Sequence, residues 1–327
     1  MEDYYEDYNS SYYEEYDERY APCTKEDVYA FHSIFIPTVY SLMFVAGYVG
    51  NIAAIVIYCR EPTVKKTVTN ICILNLVISD LLIISTLPLW AFEVNHGWHL
   101  GTFMCKIASF IYTFNLTLGA FLLVYISVDR YCVIVQNLQV KTRPLWFILI
   151  WSCAALFSLP ELIFSAVEHV HYHPRIGKIC TFVYTVESTQ YLRSSLECIE
   201  IVIQFVIPAG VIIFCYGAVV YKLKTTTISK KWYTLSILMA LVTIFFITQL
   251  PFTIVKIYRI VDVFHNIITT CRDSRRLDYA LSTTHCLALL HVCVNPLLYT
   301  CVGSVFKKRV INYFDRLLNQ TDENAEL

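Results

Sequence analysis

Charge is scarce in this chain. Asp, Glu, Lys and Arg make up only 16% of its 327 residues, where a soluble domain carries about a quarter. Hydrophobic residues make up 57% and the mean hydropathy is +0.54, so a water-soluble globule is excluded. Enzyme signatures are missing too. There is no P-loop, no GxGxxG, no HExxH and no CxxC pair, so no enzyme function is expected. Internal repeats of the kind that mark many transporters are absent. The N-terminus is acidic rather than a basic-then-apolar leader, so no cleavable signal peptide is expected and the first apolar segment must direct its own insertion. The net charge of −1 says nothing about partners, and none of nucleic-acid type is expected.

What is present is a series of long apolar runs. A helix crossing the hydrocarbon core needs about 20 apolar residues at about 1.5 Å each. Seven runs qualify, near 33–58, 67–92, 103–134, 144–167, 195–222, 232–261 and 278–303. The expected fold is an all-α membrane protein: a seven-transmembrane helix bundle over 33–303, preceded by an extracellular segment 1–32 and followed by an amphipathic helix and short cytosolic tail over 304–327. Lys65, Lys66, Lys141, Arg143, Lys230, Lys231, Lys307 and Lys308 all fall on one side of seven spans. That side is cytosolic by the positive-inside rule, which leaves the N-terminus outside. Arg272, Arg275 and Arg276 fall on the outer side and are expected to pair with acidic groups there.

The first 20 residues hold eight carboxylates against Arg19, with seven tyrosines among them: Tyr4, Tyr5, Tyr8, Tyr12, Tyr13, Tyr16 and Tyr20. Such a segment buries too little apolar surface to fold alone. It forms a negative lure for a basic partner, and tyrosines beside carboxylates suit sulfation. Asn9-Ser10-Ser11 is a glycosylation sequon on the outer side. Of thirteen cysteines, Cys23, Cys105, Cys180 and Cys271 face oxidising solvent in this topology. Four outer cysteines allow three pairings. Cys72, Cys132, Cys153, Cys198, Cys215, Cys286, Cys293 and Cys301 read as small buried hydrophobes.

Polar groups at membrane depth are costly and need a use. Asp80 lies in the second span, Asn51 in the first and Asn295 in the seventh, with Asn115 and His291 within reach of the same interior. A carboxylate with amide and imidazole neighbours can hold a sodium ion or a proton; the alternative is a hydrogen-bond cluster that glues helices. Asp129-Arg130-Tyr131 closes the third span, where the guanidinium can pair with its neighbour or point inward. Pro88, Pro160, Pro208, Pro251 and Pro296 lie within spans and permit kinks. Asn295-Pro296-Leu297-Leu298-Tyr299 reads as a hinge with an aromatic switch, and the segment after it suits a helix lying on the inner leaflet lipid.

Together these residues resemble a rhodopsin-like G-protein-coupled receptor: Gly50-Asn51, Asp80, Asp129-Arg130-Tyr131, Trp151, Pro208 with Tyr216, Pro251 and NPLLY, in order over nearly the whole chain. Within that class the acidic tyrosine head, the extra outer cysteines and Thr86-Leu87-Pro88-Leu89-Trp90 are similar to a chemokine receptor. The stretches CTKEDVYAF, NHGWHLGTFMCKI, ITQLPFTIVK and SRRLDYAL are similar to the atypical chemokine receptor type 4 subgroup. Gln249 stands where most rhodopsin-like receptors carry a toggle tryptophan, a change that this subgroup shares. The resemblance implies Cys105–Cys180 and Cys23–Cys271 bonds. It implies ligand capture by the N-terminal tyrosines, then entry of the chemokine's N-terminus into the bundle.

Candidate pocket residues are Tyr40, Trp90, Glu93, Tyr112, Glu197, Glu200, Lys256, Arg259 and His285, with Trp98 a further one. His285 replaces the glutamate that chemokine receptors usually present from helix 7. The tail after the seventh span offers only Ser304 and Thr321 for phosphorylation, and Cys132-Val133-Ile134-Val135 replaces the sequence that follows DRY in strongly coupling members. These departures favour a scavenger that internalises ligand over a receptor signalling through heterotrimeric G protein or arrestin; a virus-captured, constitutively active homologue is the alternative. Plasma-membrane residence with endosomal cycling is expected, and a dimer is left open. His169, His171 and His173 alternate as on one face of a strand; they could bind metal, or release a basic ligand by protonating in endosomes. A transporter would also use Asp80 and the prolines but has no need of the acidic head. A retinal-binding opsin is excluded, because the seventh span has no lysine.

Overall fold

The computed structural model describes residues 23–60, 68–138, 144–172, 175–183, 189–225 and 232–302. The tyrosine head with Asn9, the eight basic loop residues named above, His173 and the segment after 302 lie outside them. The elements are α1 (Glu26–Arg60), α2 (Val68–His96), α3 (Gly101–Ile134), α4 (Pro144–Phe157), α5 (Leu159–Phe164), β1 (Ser165–Tyr172), β2 (Arg175–Phe182), α6 (Thr189–Ile201), α7 (Ile207–Thr225), α8 (Trp232–His265), α9 (Cys271–Leu289) and α10 (His291–Val302). Six helices or helix pairs are long and apolar enough to cross a membrane, and Pro144–Phe157 is a shorter apolar helix. The seven-helix bundle expected from the sequence is therefore present.

Its helices depart from the expected runs where proline and polar chemistry intervene. The fourth run, read as continuous to 167, ends as a helix at Phe157. Pro160 has no N–H and its ring excludes the preceding turn's carbonyl. The chain makes one tight turn at Ser158, restarts as the six-residue α5, then becomes β1 from Ser165. The fifth run splits into α6 and α7 around a π-helical segment, Val202–Val206, which precedes Pro208. A wider i→i+5 turn of this kind absorbs an extra residue. The seventh helix starts at Cys271 rather than 278, capped by Thr270, whose hydroxyl accepts from the Asp273 N–H.

Two prolines show how the bundle repairs its own defects. Pro296 cannot donate to the carbonyl of Val292, four residues earlier. Asn51 of α1 donates its side-chain amide to that oxygen at 2.9 Å. The close approach requires Gly50, where a Cβ would sit 3.1 Å from the Pro296 ring. Pro37, inside α1 and unremarked in the sequence, likewise frees the carbonyl of Ser33, and Asn95 of α2 donates to it at 3.0 Å. An unpaired backbone carbonyl in hydrocarbon is costly, so each asparagine is placed by a proline on another helix. Asn51 therefore serves this carbonyl rather than the Asp80 cluster.

The inner half of the bundle holds the larger apolar core, centred on Leu76, Leu118, Leu122, Ile126, Ile212 and Val219. Trp151 of α4 fastens to α2 by donating Nε1–H to Asn75 Oδ1 at 2.8 Å. The expectation that the helix cysteines are buried holds for Cys72, Cys215 and Cys286 but not for Cys153 and Cys198, which are exposed. α4, which carries Cys153, is apolar on all faces and does not reveal which face meets lipid.

Candidate functional site

The outer end is closed by covalent bonds and a hairpin. Cys105 at the start of α3 is bonded to Cys180 on β2, and Cys23 is bonded to Cys271 at the start of α9. These are the pairings that the resemblance implied. β1 and β2 pair antiparallel, with His169 opposite Lys178. The hairpin is tied to the turn before α3, where the Trp98 N–H donates to the Lys178 carbonyl at 2.7 Å. Gly97 makes that turn with φ +79°, a conformation that suits glycine. Trp98 itself is buried, donates Nε1–H to Gly101 O and packs on Trp90. It holds the turn together and does not line the pocket, which corrects its inclusion among the ligand candidates.

Ion pairs fasten the rim: Lys25–Asp278 at 2.6 Å, Arg275–Asp27 at 3.2 Å and Arg276–Asp273 at 3.1 Å. Arg275 and Arg276 thus have acidic partners, as the topology required. With the Cys23–Cys271 bond, the first two fix the chain leading into α1 against α9.

Beneath this lid lie two adjoining cavities. One, about 300 Å³, is mostly apolar and is bounded by α1, α2, α3 and α9; Tyr40, Leu87, Trp90, Glu93, Tyr112 and His285 are on its wall. The other, about 200 Å³, is more polar and lies between α3, α5, β2, α6 and α8, with Arg193, Glu197, Glu200 and Lys256 on its wall. Ser109, Tyr112 and Glu161 face both.

All but one of the nine main pocket candidates line one of these lobes. His285 is held by Tyr40, whose hydroxyl is 3.0 Å from Nδ1, and by the rings of Tyr112 and Phe252 at 5.2 Å each. Glu93 accepts from the Cys180 backbone N–H, which couples α2 to the disulfide-bearing strand. Lys256 of α8 pairs with Glu200 of α6 at 2.7 Å. Arg259 lines neither lobe but pairs with Glu197, which Arg193 also contacts at 3.1 Å. Lys256–Glu200 and Arg259–Glu197 are partly buried and join cations of α8 to carboxylates of α6, so they set the spacing of the two helices. Glu161 was missed from the sequence. No charge pattern singles it out, and only the break at Ser158 turns it from the expected lipid-crossing helix into the cavity wall.

Deeper in the bundle, Asp80 is buried between two amides. Asn115 Nδ2 donates to Oδ1 and Asn295 Nδ2 to Oδ2, each at 3.1 Å. Asn115 also donates to Ser79 at 2.9 Å, and its own Oδ1 is buried without a hydrogen-bond donor among the described residues. His291 lines the same small cavity of about 30 Å³. At the inner end, Arg130 rests on Asp129 at 2.7 Å. Tyr131 packs on Phe214, and Tyr216 is buried in the core. Gln249 is buried and donates Nε2–H to the Ala288 carbonyl at 3.0 Å, joining α8, which carries Pro251, to the break between α9 and α10. Tyr299 lies in the last turn of α10, with its side chain outside the described part.

Comparison with known proteins agrees with this geometry. Residues 50–299 match the family described as 7 transmembrane receptor (rhodopsin family). Atypical chemokine receptor 4 of Homo sapiens is 35% identical over 315 residues, covering 94% of this chain and 87% of that protein. C-C chemokine receptor type 4 of Homo sapiens is 34% identical over 90% of this chain and 81% of its own length. C-C chemokine receptor type 9 of Ovis aries is 32% identical with the same coverage. The chain belongs to the chemokine receptors of the rhodopsin family of seven-transmembrane receptors, a family of membrane receptors and not of enzymes.

Proposed function

We propose that this chain is a plasma-membrane receptor for basic chemokines of the CC type that carries bound ligand into endosomes while activating heterotrimeric G proteins weakly. The observation that carries the reading is the outer cavity pair: two connected lobes walled by aromatic and charged side chains, under a lid fixed by two disulfides. Its relatives include receptors named for C-C chemokines and an atypical one. In this reading the acidic N-terminus, outside the cell, with Tyr4, Tyr5, Tyr8, Tyr12, Tyr13 and Tyr16 as sulfation sites and Asn9 glycosylated, grips the basic chemokine body and speeds encounter. The chemokine's end segment then occupies the lobes.

Weak coupling is supported by two contacts. Gln249 ties α8 to the carbonyl of Ala288 where other receptors carry a tryptophan, and Arg130 is held by Asp129. The same intact Asp129-Arg130-Tyr131 and Asn295-Pro296 pair favour a second reading, in which the chain signals conventionally or constitutively. Asp80 with Asn115 and Asn295 also fits a sodium ion, since the orphaned Asn115 oxygen supplies a further ligand beside the carboxylate. Bound there, it would neutralise the buried carboxylate.

Expression in cells with labelled CC chemokines, reading uptake beside G-protein dissociation, tests the proposal. Uptake with little dissociation is expected. Dissociation, basal or ligand-driven, at the level of a coupling receptor would favour the second reading. No binding of any chemokine would overturn both.

A further inference from the structure

The short helix α5 runs only from Leu159 to Phe164 before the chain turns into β1 at Ser165. A helix end leaves its last four carbonyls without partners in a following turn, and close to hydrocarbon each needs a donor. Here all four have one. The Glu161 carbonyl accepts from the Ser165 N–H. The Phe164 carbonyl accepts from the Val183 N–H, just past β2, at 2.9 Å. The two between them accept from a single side chain of another helix: Lys106 of α3 donates Nζ–H to Leu162 O at 2.9 Å and also to Ile163 O. An ammonium carries three N–H donors, so one lysine can serve both oxygens. Lys106 is half-buried and lines neither lobe of the outer cavity. Its charge therefore meets the end of α5 and not the ligand space.

Lys106 directly follows Cys105, and these two neighbours hold opposite strands of the hairpin. Cys105 is bonded to Cys180 on β2. β2 has further ties: the Trp98 N–H donates to Lys178 O, and the Cys180 N–H donates to Glu93. On the β1 side, Lys106 supplies a polar tie to α3 at the strand's root, and Val167 adds an apolar contact with the cluster around Trp98, Cys105 and Ala108. The two strands are paired along their length and so move as one body. A body tied along one strand can still swing about it. A second tie at the root of the other strand removes that freedom. The swing would matter, because Glu161 and Ser165 on the β1 side, with Thr181 and Phe182 of β2, form one wall of the polar lobe.

We propose that Lys106 is a positioning residue for ligand recognition. It fixes the tilt of the hairpin over the polar lobe by capping the end of α5, and it acts without touching the ligand. This deepens the chemokine-receptor reading and rests on it. It gives the second and separate anchor of the hairpin to a lysine that belongs to no ion pair in the structure's outer rim.

The test uses the full-length receptor and two variants. Lys106→Met keeps the apolar stem and removes the donors. Lys106→Arg keeps a cation with several N–H groups able to reach both carbonyls. Hydrogen exchange of the purified receptors is measured without any chemokine, together with melting temperature. Affinity and dissociation rate of a labelled CC chemokine are measured on cells at matched surface amount. Lys106→Met should quicken exchange in the hairpin by about tenfold while the helices keep their protection. It should weaken the chemokine by a similar factor of about ten, mostly through faster dissociation. Lys106→Arg should restore both to near wild type. Unchanged hairpin exchange in Lys106→Met would overturn the proposal, and if affinity fell all the same, Lys106 would be a ligand contact. Faster exchange with undiminished affinity would also overturn it, since the tilt would then not govern recognition. So would a fall in melting temperature with faster exchange throughout the bundle, the mark of a general structural role. A wild type that binds no chemokine would instead refute the receptor reading, while the exchange comparison would still decide whether Lys106 anchors the hairpin.

Discussion

The outer and inner halves of this bundle solve opposite problems. The outer half keeps space and charge: two cavities of about 300 and 200 Å³, lined by carboxylates and cations that bridge neighbouring helices. The inner half keeps little of either. Its cavity beside Asp80 is about 30 Å³, and its defects are repaired one by one, as Asn51 repairs the carbonyl that Pro296 leaves free. An unfilled polar cavity is a cost that a ligand can repay. A filled core with satisfied backbone holds a resting geometry. The difference explains how one helix bundle can be open to a ligand at one end and set in one state at the other.

Breaking the lid should have the largest effect on the outer half. Cys105→Ser with Cys180→Ser frees the hairpin that walls the polar lobe, and loss of a native disulfide costs about 2–5 kcal/mol. Surface staining and chemokine binding should both fall to near background. The Cys23→Ser with Cys271→Ser pair should be milder at the surface, because Lys25–Asp278 and Arg275–Asp27 still hold that rim.

Next comes the inner half. Asn51→Ala orphans the Val292 carbonyl and should lower stability by about 1–3 kcal/mol, read as a lower melting temperature of the purified receptor. Pro296→Ala restores an N–H four residues after Val292. The double variant should therefore recover much of the loss, and a double variant no better than Asn51→Ala would break the proline-repair account. Asn95→Ala should act the same way through Ser33, but weakly, because that end is exposed to solvent.

Smaller effects sharpen the boundary between halves. Lys256→Ala leaves Glu200 unpaired in the polar lobe and should weaken chemokine binding severalfold; Glu200→Ala added to it should restore part of the loss, since the pair is only partly buried. Tyr40→Phe removes one hydrogen bond to His285 and should cost about 1 kcal/mol or less in affinity.

Much of this was legible in the sequence. Apolar runs set the spans because backbone groups in lipid must pair within their own helix. The outer cysteines, the Asp80 neighbours and Asp129-Arg130 were legible because charge and thiols in such places need partners. What escaped depends on rotation and breakage, which composition does not encode. Glu161 reached the cavity only because Pro160 ends α4 early. Trp98 looked like a binding aromatic, but the turn at Gly97 buried it. Cys153 is exposed on α4, a helix apolar on every face whose sequence does not mark its outer side. Pro37 and Asn95 are on different helices, and only packing made them a pair.

The central claim is that ligand recognition belongs to the outer cavities and not to the inner core. The most direct measurement compares the affinity of one labelled CC chemokine for two variants at matched surface amount. Ser109→Trp fills the junction of the two lobes, and Leu123→Ala opens a space in the inner half. The account predicts that Ser109→Trp abolishes high-affinity binding while Leu123→Ala leaves it within about twofold, a difference below about 0.5 kcal/mol. Undiminished binding by Ser109→Trp would contradict it.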